Sequence, residues 1–578
     1  MVKKIKIFDC LTLINIQSIF STNTEIFILE ENLLSKILNF FKIKKISNFK
    51  INLTNSQSQN IEKFTSIFEN DDVGNFVYEY LDFINKEEFK NKNFANFIIK
   101  FFCNNRNLIS FMSIENFLYL NSILKDIFKQ NKVDLILKDN IFKNFIRLKY
   151  NNNNINYFFY KNFNFLILRK YLSMIKKTIY IFKSNKNISS KKICIMDSYP
   201  IHSPNEFFSN KKFVENAVFI SNEKINKENI SYIYNFVNFE SIKSLLINIL
   251  KKNKFNNYNI LKMLYVKFSF EKEVYKNFFE KYKVEKFYSC HIAQDFTSSA
   301  IGAIHDLGGS SIGVTYSYSE NYSAFQNIDA FDYFISFNNS NYKSKKYSNL
   351  KQIKHLGYLL DYKFKDFKLE SQLLRDKILK TEAKYIIGLF DQGSNDNDLF
   401  NYLNHGISKK SYIFLIEKIL NNQNYTLIIK PKKPKLLKQK LGDDYHLIEK
   451  AKQTGRFLIF DENDKDHVKN FKDIPAKIAM ICDITIHDML LAGTAGVESA
   501  LNGTKSIYFD YYNSKKNQFE RDGLNIVFRD WNNLWKSIEN DFKNKKNNLG
   551  SWTNIIGNFD KYRDGKTNQR IMNFLNNL

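Results

Sequence analysis

The chain of 578 residues is poor in residues that break or cross-link structure: it has 18 Gly, 5 Pro and 5 Cys. So little Gly and Pro excludes a collagen-like or Pro/Gly-rich chain, and so few Cys excludes a disulfide framework. The cysteines are widely spaced and form no CxxC pair, which is typical of buried thiols in a reducing compartment. No Cys or His residues have zinc-ligand spacing, so the sequence predicts no metal site.

Long uncharged hydrophobic runs are also missing. The most apolar stretch, Tyr157–Tyr171, is interrupted by Lys161, Arg169 and Lys170, whereas a membrane-spanning helix needs about 20 apolar residues in succession. The opening residues, MVKKIKIFDC, are typical of a β-strand and too short in their apolar part for a signal peptide. We therefore expect no transmembrane helix and a cytoplasmic location, with peripheral attachment to the inner membrane left open.

Acidic residues are outnumbered, because 59 Asp and Glu stand against 86 Lys and Arg, a formal net charge of +27. Such a charge favours a polyanionic partner such as nucleic acid. Lys is, however, in excess together with Asn, Ile, Phe and Tyr, which all have A/T-rich codons, and it is spread along the whole chain. We therefore expect no nucleic-acid partner and keep a polyanion-binding protein as a remote alternative. The charge suits phosphate-bearing substrates or an anionic membrane.

Apolar residues make up 44% of the chain and aromatic residues 16%, which is too much apolar surface for a disordered protein. From Lys191 onward, short apolar runs such as KKICIMD (Lys191–Asp197) and YTLIIKP (Tyr425–Pro431) alternate with helical patterns. This alternation indicates parallel sheets covered by helices on both faces. It predicts an α/β fold with two Rossmann-like doubly wound domains facing a cleft, preceded by an α/β extension. Such sheets bind ligands at the carboxyl ends of their strands.

The segment Asp483–Asp510 has the most informative pattern. A predicted strand ends near His487, and the small residues Ala492–Gly496 lead into a helix that contains Glu498. Small residues allow backbone N–H groups to approach a phosphate, and the N-terminus of a helix favours a bound anion. An ordinary strand–helix–strand crossover, with Glu498 as a charge near the start of the helix, explains the same pattern without a ligand.

The run Glu498-Ser-Ala-Leu-Asn-Gly503-Thr-Lys resembles the E-A-x-x-x-G-x-P signature in the donor domain of GT-B glycosyltransferases. Two positions depart from the signature, since Ser499 replaces Ala and Lys505 replaces Pro. The resemblance implies that Glu498 contacts the ribose of a nucleotide donor and that the preceding small residues contact its phosphates. It also implies that the nucleotide sugar is a substrate and that no separate cofactor is needed.

Two further loops agree with this resemblance. Lys430 ends the strand in YTLIIKPKKP, which resembles the strand ending in K-P or H-P in bacterial surface-polysaccharide and polyol-phosphate transferases. The run LFDQGSND follows the first strand of the same domain, whose loop reaches across the cleft in GT-B enzymes. The implied nucleotide-donor site comprises Gln392, Gly393, Ser394, Lys430, His487, Thr494, Ala495, Gly496 and Glu498. For His487 a structural role is the commoner explanation of a lone histidine.

The preceding domain supplies the acceptor-side candidates. An inverting glycosyl transfer needs a base near the acceptor hydroxyl, commonly Asp, Glu or His. Asp295, Glu320 and His291 lie where two predicted strands reach one edge of the sheet, so these three are the candidate catalytic residues. Asp295 is also explained as a helix N-terminal charge and Glu320 as a loop residue.

Signatures of other enzyme classes are missing from the sequence, which has no GxxxxGK[ST], HExxH or GxSxG motif. Asp396-x-Asp398 and Asp464-x-Asp466 have the DxD spacing of a metal-bound sugar nucleotide, but both lie inside polar loops. GT-B transferases usually work without such a metal, because basic side chains and a helix dipole stabilise the leaving phosphate. We therefore expect a metal-independent enzyme.

The resemblance assigns a role to most of the chain. Residues 1–185 form an α/β region of unknown role, residues 186–375 an acceptor-side domain, residues 376–545 a donor-binding domain, and residues 546–578 helices that pack back across the cleft. We expect a glycosyltransferase of capsule or lipopolysaccharide biosynthesis, which moves a sugar from a nucleotide sugar to a glycan or lipid-linked acceptor. A CDP-polyol phosphotransferase of the same fold is the main alternative, and a sugar-nucleotide epimerase is more distant. The sequence leaves the base, the sugar, the linkage, the stereochemistry and the oligomeric state open.

Overall fold

Three parallel β-sheets follow one another along the chain. A computed structural model describes residues 4–8, 11, 24–29, 32–40, 42, 45–48, 72–84, 87–104, 114–127, 131–138, 140, 142–151, 154–160, 173–174, 176, 190–196, 207–208, 210–222, 230–250, 259–292, 294–315, 317–318, 328–336, 342, 344–381, 383–394, 405–460, 475–488, 493–511, 525–544 and 548–578.

The first sheet occupies the N-terminal region and has the strand order β3-β2-β1-β4-β5. Its strands are β1 Lys4–Phe8, β2 Thr24–Ile28, β3 Ser47–Asn48, β4 Lys132–Lys138 and β5 Ile155–Tyr160. Its helices are α1 Leu33–Phe40, α2 Asp72–Ile84, α3 Lys92–Asn104, α4 Ile114–Ile127 and α5 Lys143–Tyr150. The region that the sequence leaves without a role therefore contains a parallel sheet of its own.

The second sheet has the order β12-β11-β10-β9-β6-β7-β8. Its strands are β6 Ile193–Met196, β7 Ala217–Ser221, β8 Ile230–Tyr232, β9 Lys286–Ser289, β10 Ser310–Val314, β11 Tyr333–Ser336 and β12 Gln352–His355. The helices of this region are α6 Lys211–Glu215, α7 Phe239–Leu250, α8 Asn259–Tyr282 and α9 Asp295–Asp306. Every residue of β6 and β7 is buried, as expected for strands with helices on both faces.

The third sheet has the order β15-β14-β13-β16-β17-β18. Its strands are β13 Tyr385–Phe390, β14 Tyr425–Lys430, β15 Phe457–Ile459, β16 Ile484–His487, β17 Lys505–Phe509 and β18 Val527–Phe528. The remaining helices are α10 Phe364–Leu379, α11 His405–Asn421, α12 Leu437–Leu441, α13 His446–Gln453, α14 Pro475–Ala479, α15 Thr494–Leu501, α16 Trp531–Asn544 and α17 Thr567–Asn577. Short 3₁₀ turns lie at Glu87–Lys90, Ile233–Phe236, Ile328–Ala330, Asp361–Lys363, Pro434–Leu436, Gly442–Tyr445 and Ile556–Asn558.

The second and third sheets are both doubly wound, which confirms the predicted α/β class with two Rossmann-like domains. The strand order reverses between β6 and β9 in the second sheet and between β13 and β16 in the third. In such sheets the crevice at the reversal point, beside the carboxyl ends of the strands, is where ligands bind. The candidate ligand sites are therefore the carboxyl edges of these two sheets.

Helix α3 of the N-terminal region and helix α17 near the C-terminus both pack against the region of the second sheet. The Nδ2 of Asn96 on α3 donates to the backbone oxygen of Tyr347 at 2.8 Å. On α17, Ile571 and Leu575 share a hydrophobic cluster with Ile193 and Tyr288 of the second sheet. Among the helices of the described ranges, none is both long and apolar enough to cross a bilayer.

Candidate functional site

The carboxyl edge of the third sheet brings several predicted donor-site residues together. Phe390 on β13 is in register with Lys430 on β14 and with His487 on β16, so the last residues of three neighbouring strands lie side by side. The loop 391–394 leaves the middle strand, and α15 begins beyond β16. Loops that are far apart in sequence thus meet at the reversal point of the sheet.

The small residues before β17 fit around a tyrosine ring. A Cβ on Gly493 would lie 2.2 Å from Cε1 of Tyr508, and a Cβ on Gly496 would lie 2.5 Å from its Cζ. The Tyr508 hydroxyl donates to the backbone oxygen of Gly493 at 2.5 Å. From the sequence, these small residues were expected to let a phosphate approach the backbone. In the structure, their packing against Tyr508 accounts for them without a ligand.

Glu498 is buried on α15, with only 3% of its surface exposed. The helix starts at Thr494, within the run of small residues, so Glu498 is its fifth residue. Oε1 accepts a hydrogen bond from the Tyr358 hydroxyl, and Oε2 accepts one from the backbone N–H of Ala476 at 3.1 Å. Burial raises the pKa of this carboxyl to about 7, while these two bonds and the nearby charge of Lys430 oppose the rise. Glu498 is therefore poised between its neutral and charged forms near neutral pH.

His487 packs as a neutral core side chain. Its ring stacks on Phe390 with centroids 5.0 Å apart, and its Nε2 lies 3.2 Å from the Thr485 hydroxyl. Burial lowers the pKa of His487 to about 3. It cannot supply a positive charge to a phosphate at neutral pH, and its contacts match the structural alternative given above.

In the loop after β13, the predicted donor-site residue Ser394 points into the protein, and the predicted donor-site residue Gln392 points outward. The Ser394 hydroxyl lies 2.7 Å from Nδ1 of His405 in a buried contact. The Gln392 side chain accepts a hydrogen bond from Nζ of Lys432 at 2.5 Å. A Cβ on Gly393 would lie 3.2 Å from Cε of Lys433, so this loop and the loop after β14 lie against each other. Gln392 and the two lysines are the polar groups that these loops present.

Sequence reasoning missed Asp391, Asp488, Lys440 and Tyr358. The two aspartates directly follow β13 and β16, which is a signal that could have found them, because polar groups at strand ends of such sheets often serve a site. No sequence signal marks Lys440 among its neighbouring lysines, or Tyr358, which lies 140 positions from Glu498.

The acceptor-side candidates lie at the carboxyl edge of the second sheet. Asp295 begins α9, and its Oδ2 accepts a hydrogen bond from Nζ of Lys267 at 2.7 Å, so it is engaged in an ion pair. The ring of His291 packs edge-on against Phe296, with centroids 5.6 Å apart. Glu320 lies outside the described residues. The structure thus places Asp295 at the start of α9 and His291 on the loop that precedes this helix.

The edges of the two sheets are in contact. The backbone N–H of Tyr318, which follows β10, donates to the Thr494 hydroxyl at the start of α15 at 2.9 Å. Tyr358, which follows β12, reaches Glu498 on the same helix. The helix of the implied donor site is therefore held from the second sheet at both its first turn and its middle.

No trio of His, Cys, Asp or Glu side chains in the described part of the chain is arranged to hold a metal ion. The two DxD pairs, at Asp396 and Asp464, fall outside that part. Among the described residues, this edge carries the cationic side chains Lys430, Lys432 and Lys433 and the start of α15.

No family model and no curated protein matches the chain. Among solved structures, the wall teichoic acid polymerase TagF is similar at 14% identity over 72% of this chain and 98% of that chain, with a TM-score of 0.38. HepE from Anabaena, in complex with UDP and glucose, is similar at 12% identity over 67% and 100%, with a TM-score of 0.39. UDP-GlcNAc 2-epimerase from Neisseria meningitidis, bound to UDP-GlcNAc, is similar at 10% identity over 67% and 100%, with a TM-score of 0.40.

Proposed function

We propose that the chain is a GT-B-type glycosyltransferase that moves a sugar from a nucleotide sugar to a glycan or lipid-linked acceptor. One observation carries the proposal: the carboxyl edges of two doubly wound sheets meet through Tyr318 and Thr494, and Glu498 and Lys430 lie at that meeting point. Two facing edges offer one surface to a donor and one to an acceptor, with the reacting bond between them.

The donor-side residues suit a nucleoside diphosphate. Lys430 ends β14 and Lys432 lies in the loop that follows it, so both place positive charge at this edge, where α15 also begins. A positive charge and a helix dipole stabilise the charge that develops on a leaving phosphate. The GT-B resemblance implies that Glu498 binds the ribose, and for this its carboxylate would exchange the bond from Tyr358 or from Ala476 for one from a ribose hydroxyl. In this proposal no metal ion is needed for the departure of the diphosphate.

The base on the acceptor side is proposed among His291, Asp295 and Glu320. Asp295 is the weaker of the two described candidates, since its carboxylate is already bound by a buried ammonium. His291 is partly exposed on the loop between β9 and α9, so we favour it. Histidine is the side chain that most often serves as a general base.

A nucleotide screen tests the proposal. The melting temperature of the full chain would be measured with CMP, CDP, UDP, GDP, dTDP and ADP, for the wild type, Glu498→Ala and a control, Glu449→Ala. Glu449 lies on α13 of the same domain with its side chain 58% exposed, in a pair with Lys452. A ligand that binds only the folded state raises the melting temperature by mass action. We expect one diphosphate to stabilise the wild type and the control but not Glu498→Ala.

Two other outcomes separate the alternatives. Stabilisation by cytidine nucleotides, together with release of CMP during turnover, would replace the glycosyltransferase by the CDP-polyol phosphotransferase. No stabilisation by any of the six nucleotides at millimolar concentration would contradict both enzymes. A retained response in Glu498→Ala would show that the nucleotide binds elsewhere on the chain.

A further inference from the structure

A buried cluster of charged residues lies directly beneath the loops at the edge of the third sheet. Since Phe390 and His487 are in register, the residues that follow them, Asp391 and Asp488, are neighbours. The side chains of Asp391 and Lys440 are 1% and 4% exposed, and Asp488 is fully buried. Three ionisable groups are therefore removed from water at the reversal point.

Each aspartate binds the backbone of a loop from the neighbouring strand. Asp488, after β16, accepts the N–H of Gln392 in the loop after β13 at 2.8 Å. Asp391, after β13, accepts the N–H of Lys432 in the loop after β14. Two hydrogen bonds thus step across three adjacent strands, β16, β13 and β14, and fix both loops relative to the sheet. Charged acceptors make the stronger class of such bonds.

The helices behind the sheet complete the cluster. Oδ2 of Asp391 accepts hydrogen bonds from the Tyr412 hydroxyl on α11 at 2.7 Å and from Nζ of Lys440 on α12. The Ser408 hydroxyl of α11 lies 3.4 Å from Oδ2 of Asp488. Lys440 can neutralise one carboxylate and not two, so the cluster is neutral only while one aspartate holds a proton.

The charge of the cluster depends on Asp488. Burial, and then the charge of Asp391, raise the pKa of Asp488, against the opposing effect of Lys440. The other titratable groups that face it are Lys432, Tyr412 and Tyr511. Partial desolvation lowers the pKa of Lys432, and burial raises the pKa values of Tyr412 and Tyr511. Asp488 therefore ionises only at a higher pH than an ordinary carboxyl, and its ionisation adds one negative charge to the cluster.

We propose that Asp391, Lys440 and Asp488 are positioning residues for the donor's phosphates: they hold Gln392 and Lys432 in place, and Lys440 offsets the charge of a carboxylate buried beneath the two loops. This inference rests on the proposed function, because it assigns the two loops to an anionic ligand. The outer ends of the loops are already joined by the bond between Nζ of Lys432 and Oε1 of Gln392. A second negative charge below that bond repels a diphosphate above it.

The first test compares the pH dependence of binding in the wild type and in Asp488→Asn. Asn can still accept the N–H of Gln392, but it cannot ionise. The dissociation constants of UDP, CDP and inorganic pyrophosphate would be measured by calorimetry from pH 6.5 to 9.5. We expect the wild type to weaken about tenfold more than the variant across the upper half of this range. The charge of Asp488 raises the pKa of Lys432 in the wild type, so loss of charge on Lys432 cannot make the wild type the steeper of the two.

The second test uses charge balance. Lys440→Met leaves Asp391 buried without its cation, and we expect at least tenfold weaker binding at pH 7. Adding Asp391→Asn removes that charge and should recover most of the affinity. The matched control is Lys409→Met, which breaks a pair between α11 and Asp444 with an N–O distance of 2.8 Å and side chains 37% and 34% exposed. The control should leave binding unchanged.

The outcomes separate this inference from the function on which it rests. If the wild type binds none of the three probes at any pH, the proposed function fails and the inference with it. If the wild type binds a probe and Asp488→Asn follows the same pH profile, the inference alone is overturned. Failure of Asp391→Asn to rescue Lys440→Met, while the double variant melts like the wild type, also overturns it.

Discussion

The second and third sheets each carry a buried carboxylate–lysine cluster near the carboxyl edge, and the two clusters differ in what they bind. In the second sheet region, Lys267 on α8 binds Asp295 at 2.7 Å and Glu271 at 3.4 Å. Glu271 in turn lies 3.3 Å from the Ser299 hydroxyl on α9. In the third sheet, Asp391 and Asp488 bind backbone N–H groups of loops. The first cluster joins helices, whereas the second one holds two loops at the edge where we propose that the donor binds.

This difference shows why a carboxylate at a strand end is weak evidence for catalysis. Asp295 stands where a base is expected, yet it is paired with Lys267 on α8. The Nζ of Lys267 also lies 4.8 Å from the centre of the Phe97 ring on α3. The first sheet region therefore meets the second one at this cluster. Partners, rather than position along the sequence, distinguish a structural carboxylate from a functional one.

The largest expected effect comes from breaking the first cluster. Lys267→Met leaves Glu271 and Asp295 without their cation, and Glu271 is 1% exposed. We expect the free energy of unfolding in urea to fall by about 3–5 kcal/mol. The matched control is Lys272→Met on the same helix, whose pair with Asp306 has side chains 20% and 40% exposed. It should cost less than about 1 kcal/mol. Equal costs for the two variants would contradict the structural role given to Lys267.

Much of the fold could be predicted because apolar strands of parallel sheets are continuous runs. The predicted run Tyr425–Pro431 contains β14, which spans Tyr425–Lys430. β4 was missed because Asp134 interrupts its apolar run; this buried aspartate is paired with Lys4 of β1 at 3.0 Å. In the sequence, a charged residue inside an apolar run is typical of a loop. Only the position of β1 shows that Lys4 neutralises Asp134 within the sheet.

The site was predictable in place and less so in detail. Strand ends identify the edge, so Lys430, His487 and the loop 391–394 were placed together from sequence alone. Their partners were not, since Lys440 is 49 positions from Asp391 and Tyr358 is 140 positions from Glu498. The states of His487 and Glu498 also depend on burial, which a local pattern does not reveal.

A smaller effect separates the two explanations of the glycines in the third sheet. Gly496→Ala places a methyl group 2.5 Å from Cζ of Tyr508, and we expect a loss of about 1–3 kcal/mol in unfolding free energy. Adding Tyr508→Leu should recover most of that loss. Gly557→Ala is the control, because nothing lies within 4 Å of its added Cβ. If the double variant regains stability but not nucleotide affinity, Gly496 also serves a phosphate; if it regains both, packing alone explains the glycine.

The smallest effect concerns the bond that joins the two edges. Thr494→Ala removes the acceptor of the Tyr318 N–H, and a lost hydrogen bond of this kind costs about 1 kcal/mol. Thr494→Ser keeps the hydroxyl and should behave as the wild type in urea unfolding. The effect is small, but the comparison of the two variants is informative. In the proposed function, the donor edge and the acceptor edge form one site only while they are in contact. If Thr494→Ala is as stable as Thr494→Ser, the two edges are not held together by this bond in solution. The assignment of donor and acceptor to one shared site would then have to rest on Tyr358 and Glu498 alone.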